Sequence, residues 1–326
     1  MEIIQGISGF KKVVRGCVLT IGNFDGLHLG HQKILSTARK AADELKTSLV
    51  VMTFEPHPVA VLHPEMAPER LLTLPLKECL LAHFGVDTLI LLRSDLQLLQ
   101  YSGTDFIKKF LTNLIKPRLV VEGRDFHFGS DRCGNVETLA KIGSENGFDV
   151  VVVEPVAAAL SGGKNITISS TLVRELLLAG NVTDAAVALS RPYRLISKVI
   201  YGKGKGARLG FPTANLLQPA QLVPATGVYA GTVEIANTHE QLCPMHNRIP
   251  AAVSIIASPA GDVDNPLLIE SHLLIDNVHS LYGKWIAIDF IQKIRDQMKF
   301  ESDEHLAAQI AEDCNKVKHI LPHPNI

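Results

Sequence analysis

The sequence predicts an α/β domain built on a parallel sheet over residues 1–186. A small antiparallel β-barrel with a C-terminal helix follows over 187–326. In the first part, short Val/Ile/Leu runs alternate with helical patterns, as in parallel sheets covered on both faces. From about Leu189, strand-like segments succeed one another with turn signals between them, the pattern of a small barrel. A length of 326 residues is enough for two separate cores.

In chain order, the apolar runs place strands at Val18–Ile21, Leu49–Phe54, Leu89–Leu92, Leu119–Val121 and Val150–Val153. Helical spacing places helices near Gln32–Leu45, Leu76–Phe84, Asp105–Leu114 and Val136–Ser144. The barrel strands are expected at Arg194–Tyr201, Gly227–Ile235, Ala251–Ile256, Leu267–Ile275 and Trp285–Arg295. The last helix has Ser302 as its cap, Asp303 and Glu304 in its first turn, and Leu306, Ala307, Ile310, Ala311 and Cys314 on one face. Asn237–Pro250 and Gly261–Pro266 read as surface loops.

Composition narrows the class. The chain is 46% hydrophobic and 20% charged with a formal net charge of −1, so the basic excess of a nucleic-acid partner is missing. No apolar stretch has the length of a membrane span. Met1-Glu2-Ile3-Ile4-Gln5 lacks the basic and apolar regions of a secretory signal. The five cysteines are scattered, odd in number and never in C-x-x-C spacing, so neither a disulfide framework nor a zinc site follows. The expected setting is the cytoplasm, and the oligomeric state stays open.

Ligands of open parallel sheets bind beyond the carboxyl ends of the strands. There the sequence reads Gly22-Asn23-Phe24-Asp25-Gly26-Leu27-His28-Leu29-Gly30-His31, between a strand and a helix. Glycines let backbone approach a ligand, a helix start offers unpaired N–H groups to phosphate, and two imidazoles add donors. Phe54 and Pro56 close the second strand, and Asp125 and Phe128 lie in the segment Glu122–Gly129 after a later one. Ser169, Ser170 and Thr171 open a helix that carries Arg174 one turn in. Taken alone, these last groups read as caps, core aromatics and a solvated arginine.

The second dense segment, Gly202–Asn215, is a basic glycine loop containing Gly204, Lys205 and Gly206, and it ends in Pro212-Thr213-Ala214-Asn215. It lacks the Gly-Lys-Ser/Thr of a Walker A loop. Thr213 and Asn215 offer oxygen ligands at alternate positions, suited to Mg²⁺ shared with a nucleotide. Glu270, a carboxylate among apolar strand residues, suits a proton acceptor if burial raises its pKa.

Together the two halves resemble the bifunctional FAD synthetases, which combine riboflavin kinase and FMN adenylyltransferase, over nearly the whole chain. The resemblance implies a Rossmann-like nucleotidyltransferase module followed by the kinase barrel, using ATP and Mg²⁺ on riboflavin and FMN and yielding FAD. It assigns His28 and His31 to the reacting α-phosphate. Gly22, Asn23, Phe24, Gly30, Ser169, Ser170, Thr171 and Arg174 go to the ATP phosphates, and Phe54, Pro56, Asp125 and Phe128 to the flavin side. In the barrel it assigns Gly204, Lys205 and Gly206 to phosphate, Thr213 and Asn215 to the metal, Glu270 to the base and Arg295 to flavin. Ser258 and Ala260 stand where the family usually has Arg and Thr. An adenylyltransferase whose barrel binds flavin without phosphorylating it is the alternative, and a flavin carrier without turnover is a third reading.

Overall fold

The computed structural model describes residues 1–202, 204–243, 248–258, 267–275 and 280–321. The backbone separates into two units. One comprises Met1–Glu69, Lys77–Ala159 and Asn165–Ile168, and the other Arg70–Leu76, Leu160–Lys164 and Ser169–Ile326.

The first unit is built on β1 (Glu2–Gln5), β2 (Val18–Ile21), β3 (Leu49–Glu55), β4 (Thr88–Arg93), β5 (Leu119–Gly123) and β6 (Asp149–Val153). They form one parallel sheet in the order β1-β4-β3-β2-β5-β6. Every residue of β2 is buried, as expected of a central strand covered on both faces. Leu19, Ile21, Val50, Met52, Ile90 and Val120 pack into a core with Phe106 and Phe110. The edge strand β1 was not foreseen, because only Ile4 of its four residues is buried and no apolar run marks it. The helix expected near Asp105–Leu114 is a short α-turn, Gly103–Phe106, continued by a π-helix over Ile107–Ile115.

Chain order reverses at β2, which has β3 on one side and β5 on the other, making the gap between β2 and β5 the switch point of this sheet. The β2–β5 ladder stops at Leu19 and Val120, whereas β2–β3 runs on to Ile21 and β5–β6 to Gly123. The two central strands therefore part at their carboxyl ends. Helix α1 (Leu29–Glu44) starts just beyond that opening; α2 (Leu74–His83) and α3 (Val136–Asn146) follow in the chain.

The second unit carries α4 (Ser170–Leu178), α5 (Val182–Leu189) and six strands: β7 (Tyr193–Ile200), β8 (Ala214–Leu216), β9 (Gly227–Ala236), β10 (Ile249–Ala257), β11 (Leu267–Leu273) and β12 (Trp285–Arg295). These close an antiparallel barrel in the order β7-β8-β11-β10-β9-β12, β12 pairing with β7. The three-residue β8 is too short to show alternation and was not foreseen. Helix α4, placed within residues 1–186 by the sequence, groups with the barrel, as does α5. The Ala225 N–H donates to the Leu177 carbonyl at 3.0 Å, and Thr183 Oγ1 to the Ile291 carbonyl at 3.4 Å.

The last helix, α6 (Asp303–Ile320), begins as expected, with Ser302 Oγ accepting from the His305 N–H at 3.3 Å. It buries Asp313, Cys314 and Val317, and the last two pack with Ala230, Ala252 and Leu274. Asn237–Pro250 is not simply a surface loop: Leu242 is buried, and its carbonyl accepts from the Arg194 guanidinium at 2.7 Å. Arg194 also forms a bidentate pair with Asp289 at 2.8 and 2.7 Å and reaches Glu234 at 3.1 Å, all three side chains being buried. Such a group is sustained by mutual pairing rather than by hydration. Gly261–Pro266 lies outside the described residues.

Candidate active sites

Ile21 ends β2, and the Gly22 N–H donates to the Met52 carbonyl at 3.0 Å before the chain leaves the sheet. The loop then takes left-handed backbone at Phe24 (φ 47°), Gly26 (φ 83°) and Leu27 (φ 45°). Large residues avoid that region. The Phe24 and Leu27 side chains are almost wholly buried, and this packing holds them there. A Cβ on Gly22 would come within 3.2 Å of the Phe24 ring, so the ring folds back over a position that glycine keeps open.

His28 caps α1: its Nδ1 accepts from the N–H groups of Gly30 at 3.1 Å and His31 at 3.4 Å. An accepting Nδ1 leaves the proton on Nε2, so the outer nitrogen is the donor. The His31 ring stacks on that of His28 with centroids 3.8 Å apart and meets Phe24 edge-on at 5.3 Å. Burial first, then the neighbouring His28 and Lys77, hold the His31 imidazole well below its usual pKa, hence neutral at pH 7. The amide of Asn23 lies 2.9 Å from His57 Nε2. His57 Nδ1 already accepts the Val59 N–H at 3.2 Å, so Nε2 carries the proton and the amide oxygen is its natural acceptor. The predicted loop thus follows β2 directly at the sheet's switch point, with Phe24 to His28 buried and Gly22, Asn23, Gly30 and His31 half-buried.

The flavin-side residues are less uniform. Phe54 is half-buried, 6.5 Å from Phe106, and Pro56 follows a cis peptide bond. Asp125 is exposed. Phe128 is buried in the core against Gly103 and Gly134, where a Cβ on Gly134 would come within 2.6 Å of its ring. Its stacking partner Phe126, ring centroids 5.4 Å apart, is half-buried and offers the more accessible face. In the second unit, Ser169 Oγ caps α4 by accepting the Leu172 N–H at 3.2 Å, with Ser170 half-buried, Thr171 exposed and Arg174 half-buried on that helix.

On the barrel, register brings the chemistry together. Asn215 on β8 and Ser254 on β10 both pair with Glu270 on β11, so the three side chains lie in a row on one face. Thr213 lies two residues before Asn215, just ahead of β8. Gly202 and Gly206 press on these donors: a Cβ on Gly202 would collide with the Asn215 amide, and one on Gly206 would sit 3.1 Å from Thr213 Oγ1. Burial raises the Glu270 pKa above the ordinary carboxylate value. Gln297 Nε2 donates to Ser254 Oγ at 3.2 Å and to the carbonyls of Gly227 and Ile255. Gly204 (φ 66°) starts the short turn Lys205–Arg208, and Lys205 forms an exposed ion pair with Asp303 at 2.9 Å. Such a pair is weak and leaves the lysine available to phosphate.

Arg295 is placed otherwise than a flavin ligand would suggest. Its guanidinium forms a bidentate pair with buried Asp313, at 3.0 and 2.7 Å, and ties β12 to α6. Ser258 is half-buried just past β10, whereas Lys203 and Ala260 lie outside the described residues. Three further groups were given no role by the sequence reading: the buried Lys77 whose charge reaches His31, Ser254 in the Glu270 row, and Glu122 between β5 and β2. A lysine among the leucines of α2 was the one local signal. Among the described residues there is no cluster of three metal-ligating side chains and no helix long and apolar enough to cross a membrane.

Comparison with known proteins agrees in both halves. Residues 10–172 match the FAD synthetase family and residues 189–321 the riboflavin kinase family. A bifunctional riboflavin kinase/FMN adenylyltransferase of Escherichia coli (strain K12) is 35% identical over 316 residues, covering 96% of each chain. Proteins of the same description are 34% identical over 98% of each chain in Haemophilus influenzae and 33% over 96% in Buchnera aphidicola from Acyrthosiphon pisum. A crystal structure described as a macrolide-efflux protein from Streptococcus pneumoniae superposes with a TM-score of 0.84 at 29% identity, covering 98% of this chain and 99% of that one.

Proposed function

The chain belongs to the bifunctional riboflavin kinase/FMN adenylyltransferase family, and from that premise we propose which of its residues carry each reaction. The enzyme phosphorylates riboflavin to FMN with ATP and then adenylylates FMN to FAD. We assign adenylyl transfer to residues 1–186 and the kinase to 187–326. Macrolide efflux is said of the Streptococcus pneumoniae protein alone, and neither phosphate site here answers to it.

In adenylyl transfer the FMN phosphate oxygen attacks the α-phosphorus of ATP, the bond to the β-phosphate bridging oxygen breaks, and pyrophosphate leaves. No covalent intermediate with the protein is needed, so catalysis is positioning and charge stabilisation. The observation that carries the assignment is the capping role of His28 Nδ1, which leaves Nε2–H as a fixed donor. His28 and neutral His31 stabilise charge developing on the α-phosphate. Gly22, Asn23, Phe24 and Gly30 shape the ATP cradle, and family likeness adds Ser169, Ser170, Thr171 and Arg174 for the phosphates. Phe54, Pro56, Asp125 and Phe126 form the flavin side, with Phe128 as the packing behind it.

In the kinase, Glu270 accepts the proton of the ribityl 5′-hydroxyl as that oxygen attacks the γ-phosphorus of ATP, the bond from the γ-phosphorus to the β–γ bridging oxygen breaks, and ADP leaves. Thr213 and Asn215 fit a Mg²⁺ ion: both side chains offer oxygen ligands at alternate positions, and the glycines against them leave room that a Cβ would fill. Bound there with nucleotide, the ion supplies charge neutralisation at the transferring phosphoryl group. Gly204, Lys205 and Gly206 line the phosphates.

Incubation of the purified protein with riboflavin, ATP and Mg²⁺ is expected to give FMN first and FAD after it. Accumulation of FMN without FAD, or consumption of added FMN alone, would remove one of the two assignments. Ser258 takes away a cation rather than the base or the metal ligands. Ser258→Arg is therefore expected to lower the KM of the kinase for ATP or riboflavin by roughly three- to tenfold with little change in kcat, as when uniform binding is gained. An unchanged KM would show that the position is irrelevant to binding. The proposed setting is the cytoplasm; recovery of activity in a membrane fraction would contradict it.

A further inference from the structure

The β2–β5 ladder ends at Leu19 and Val120, two residues before β2 itself ends. The N–H of Ile21 consequently has no backbone acceptor on the β5 side. The carboxyl group of Glu122 takes that place: its Oε1 accepts the Ile21 N–H at 2.7 Å across 101 residues of sequence. Glu122 is only 2% exposed, so this is a buried bond between the two strands that flank the switch-point opening. Immediately beyond it, the Gly22 N–H is fixed to Met52 on the other flank. Two bonds, one to each neighbouring strand, thus set the point and direction in which the Gly22–His28 loop departs.

Everything downstream inherits that direction. Asn23, the left-handed Phe24 and Leu27, and the cap formed by His28 follow within seven residues. On the other side of the bond, Gly123 brings its backbone against α1, where a Cβ would lie 3.3 Å from Ile34 Cδ1 and 2.9 Å from Asp125 Oδ1. Burial, with nearby Asp125 adding to it, raises the Glu122 pKa well above its usual value, which favours the neutral acid beside a site for an anionic nucleotide.

We propose that Glu122 is a positioning residue for adenylyl transfer, its side-chain oxygen replacing the strand partner that Ile21 lacks and so holding the Gly22–His31 loop in register with the reacting phosphate. The inference rests on the adenylyltransferase reading of that loop. It requires reach and an acceptor atom, not a negative charge.

The test uses the full-length chain and three variants. Glu122→Gln keeps length and acceptor and cannot ionise; Glu122→Asp keeps the carboxyl group and loses reach; Glu122→Met keeps length and loses the acceptor. FMN formation from riboflavin, assigned to the other domain, counts folded enzyme in each preparation. Glu122→Gln is expected to keep kcat for FAD formation within about threefold, whereas Glu122→Asp and Glu122→Met lose roughly tenfold or more, with KM for ATP less affected, because a small misplacement of reacting groups is costly. Loss in Glu122→Gln equal to that in Glu122→Asp would show that the carboxyl group itself, and not reach and an acceptor, is what matters, and would overturn the proposal. So would a lower melting temperature with kcat per folded enzyme unchanged in Glu122→Asp or Glu122→Met. Should one of these two fail to fold, the other and Glu122→Gln still decide. A His28→Asn enzyme that forms FAD normally would instead remove the reading of the loop itself, whatever Glu122 does.

Discussion

His28→Asn is expected to lower the rate of FAD formation from FMN by about 10²-fold or more while FMN formation from riboflavin stays near wild type. Asparagine is chosen because His28 has two tasks. Its Nδ1 caps α1, and losing a cap costs about 1 kcal/mol of stability. Asn retains an acceptor at the cap position but has no Nε2–H to offer a phosphate oxygen. His31→Ala is expected to give a similar loss without touching the cap. Its imidazole is neutral at pH 7, so its contribution is a hydrogen bond rather than a full charge. Adenylyl transfer and kinase activity are measured on the same preparation, which separates chemistry from unfolding. Equal loss of both activities in a folded variant would sink the assignment of the two reactions to separate sites.

That prediction was legible in the sequence because everything it needs is contiguous. A strand, a glycine turn and a helix start within Val18–His31 fix where the imidazoles fall, and local rules govern each step. The Thr213–Asn215 pair was proposed from the same kind of local signal, two oxygen-bearing residues at alternate positions of one short segment. Glu122 was not. It sits in a Val-rich strand, and its partner is a backbone N–H that only the sheet order brings near. The pairing of Arg295 was not foreseen because Asp313 lies on a helix with no spacing relation to β12. Phe126 and Phe128 alternate by one residue, and only the approach of Gly103 and Gly134 decides which ring is core. In the barrel, Ser254 joins Glu270 through register, and register follows from closure of the sheet rather than from any short segment.

Register is also what makes the kinase prediction sharp. Glu270 lies between Asn215 and Ser254 in one row, with its pKa raised by burial. A base must be ionised to accept a proton, so lowering the pH through a raised pKa removes the active form. The acidic limb of the kinase profile in kcat/KM should therefore lie above the ordinary Glu value of about 4.3. Glu270→Gln preserves shape in the row with Asn215 and Ser254 but cannot take the ribityl proton. It is expected to cut FMN formation from riboflavin by roughly 10²-fold or more and to abolish that acidic limb, while FAD formation from added FMN is unaffected. Ser254→Ala provides the contrast: it removes a hydroxyl held by Gln297 and leaves the base, so the limb should persist. The measurement is a pH series of riboflavin-dependent FMN formation at saturating ATP. A Glu270→Gln enzyme that keeps both its turnover and its acidic limb would place the proton acceptor elsewhere in the barrel. Loss of rate with the limb retained would leave Glu270 as a binding residue and not the base.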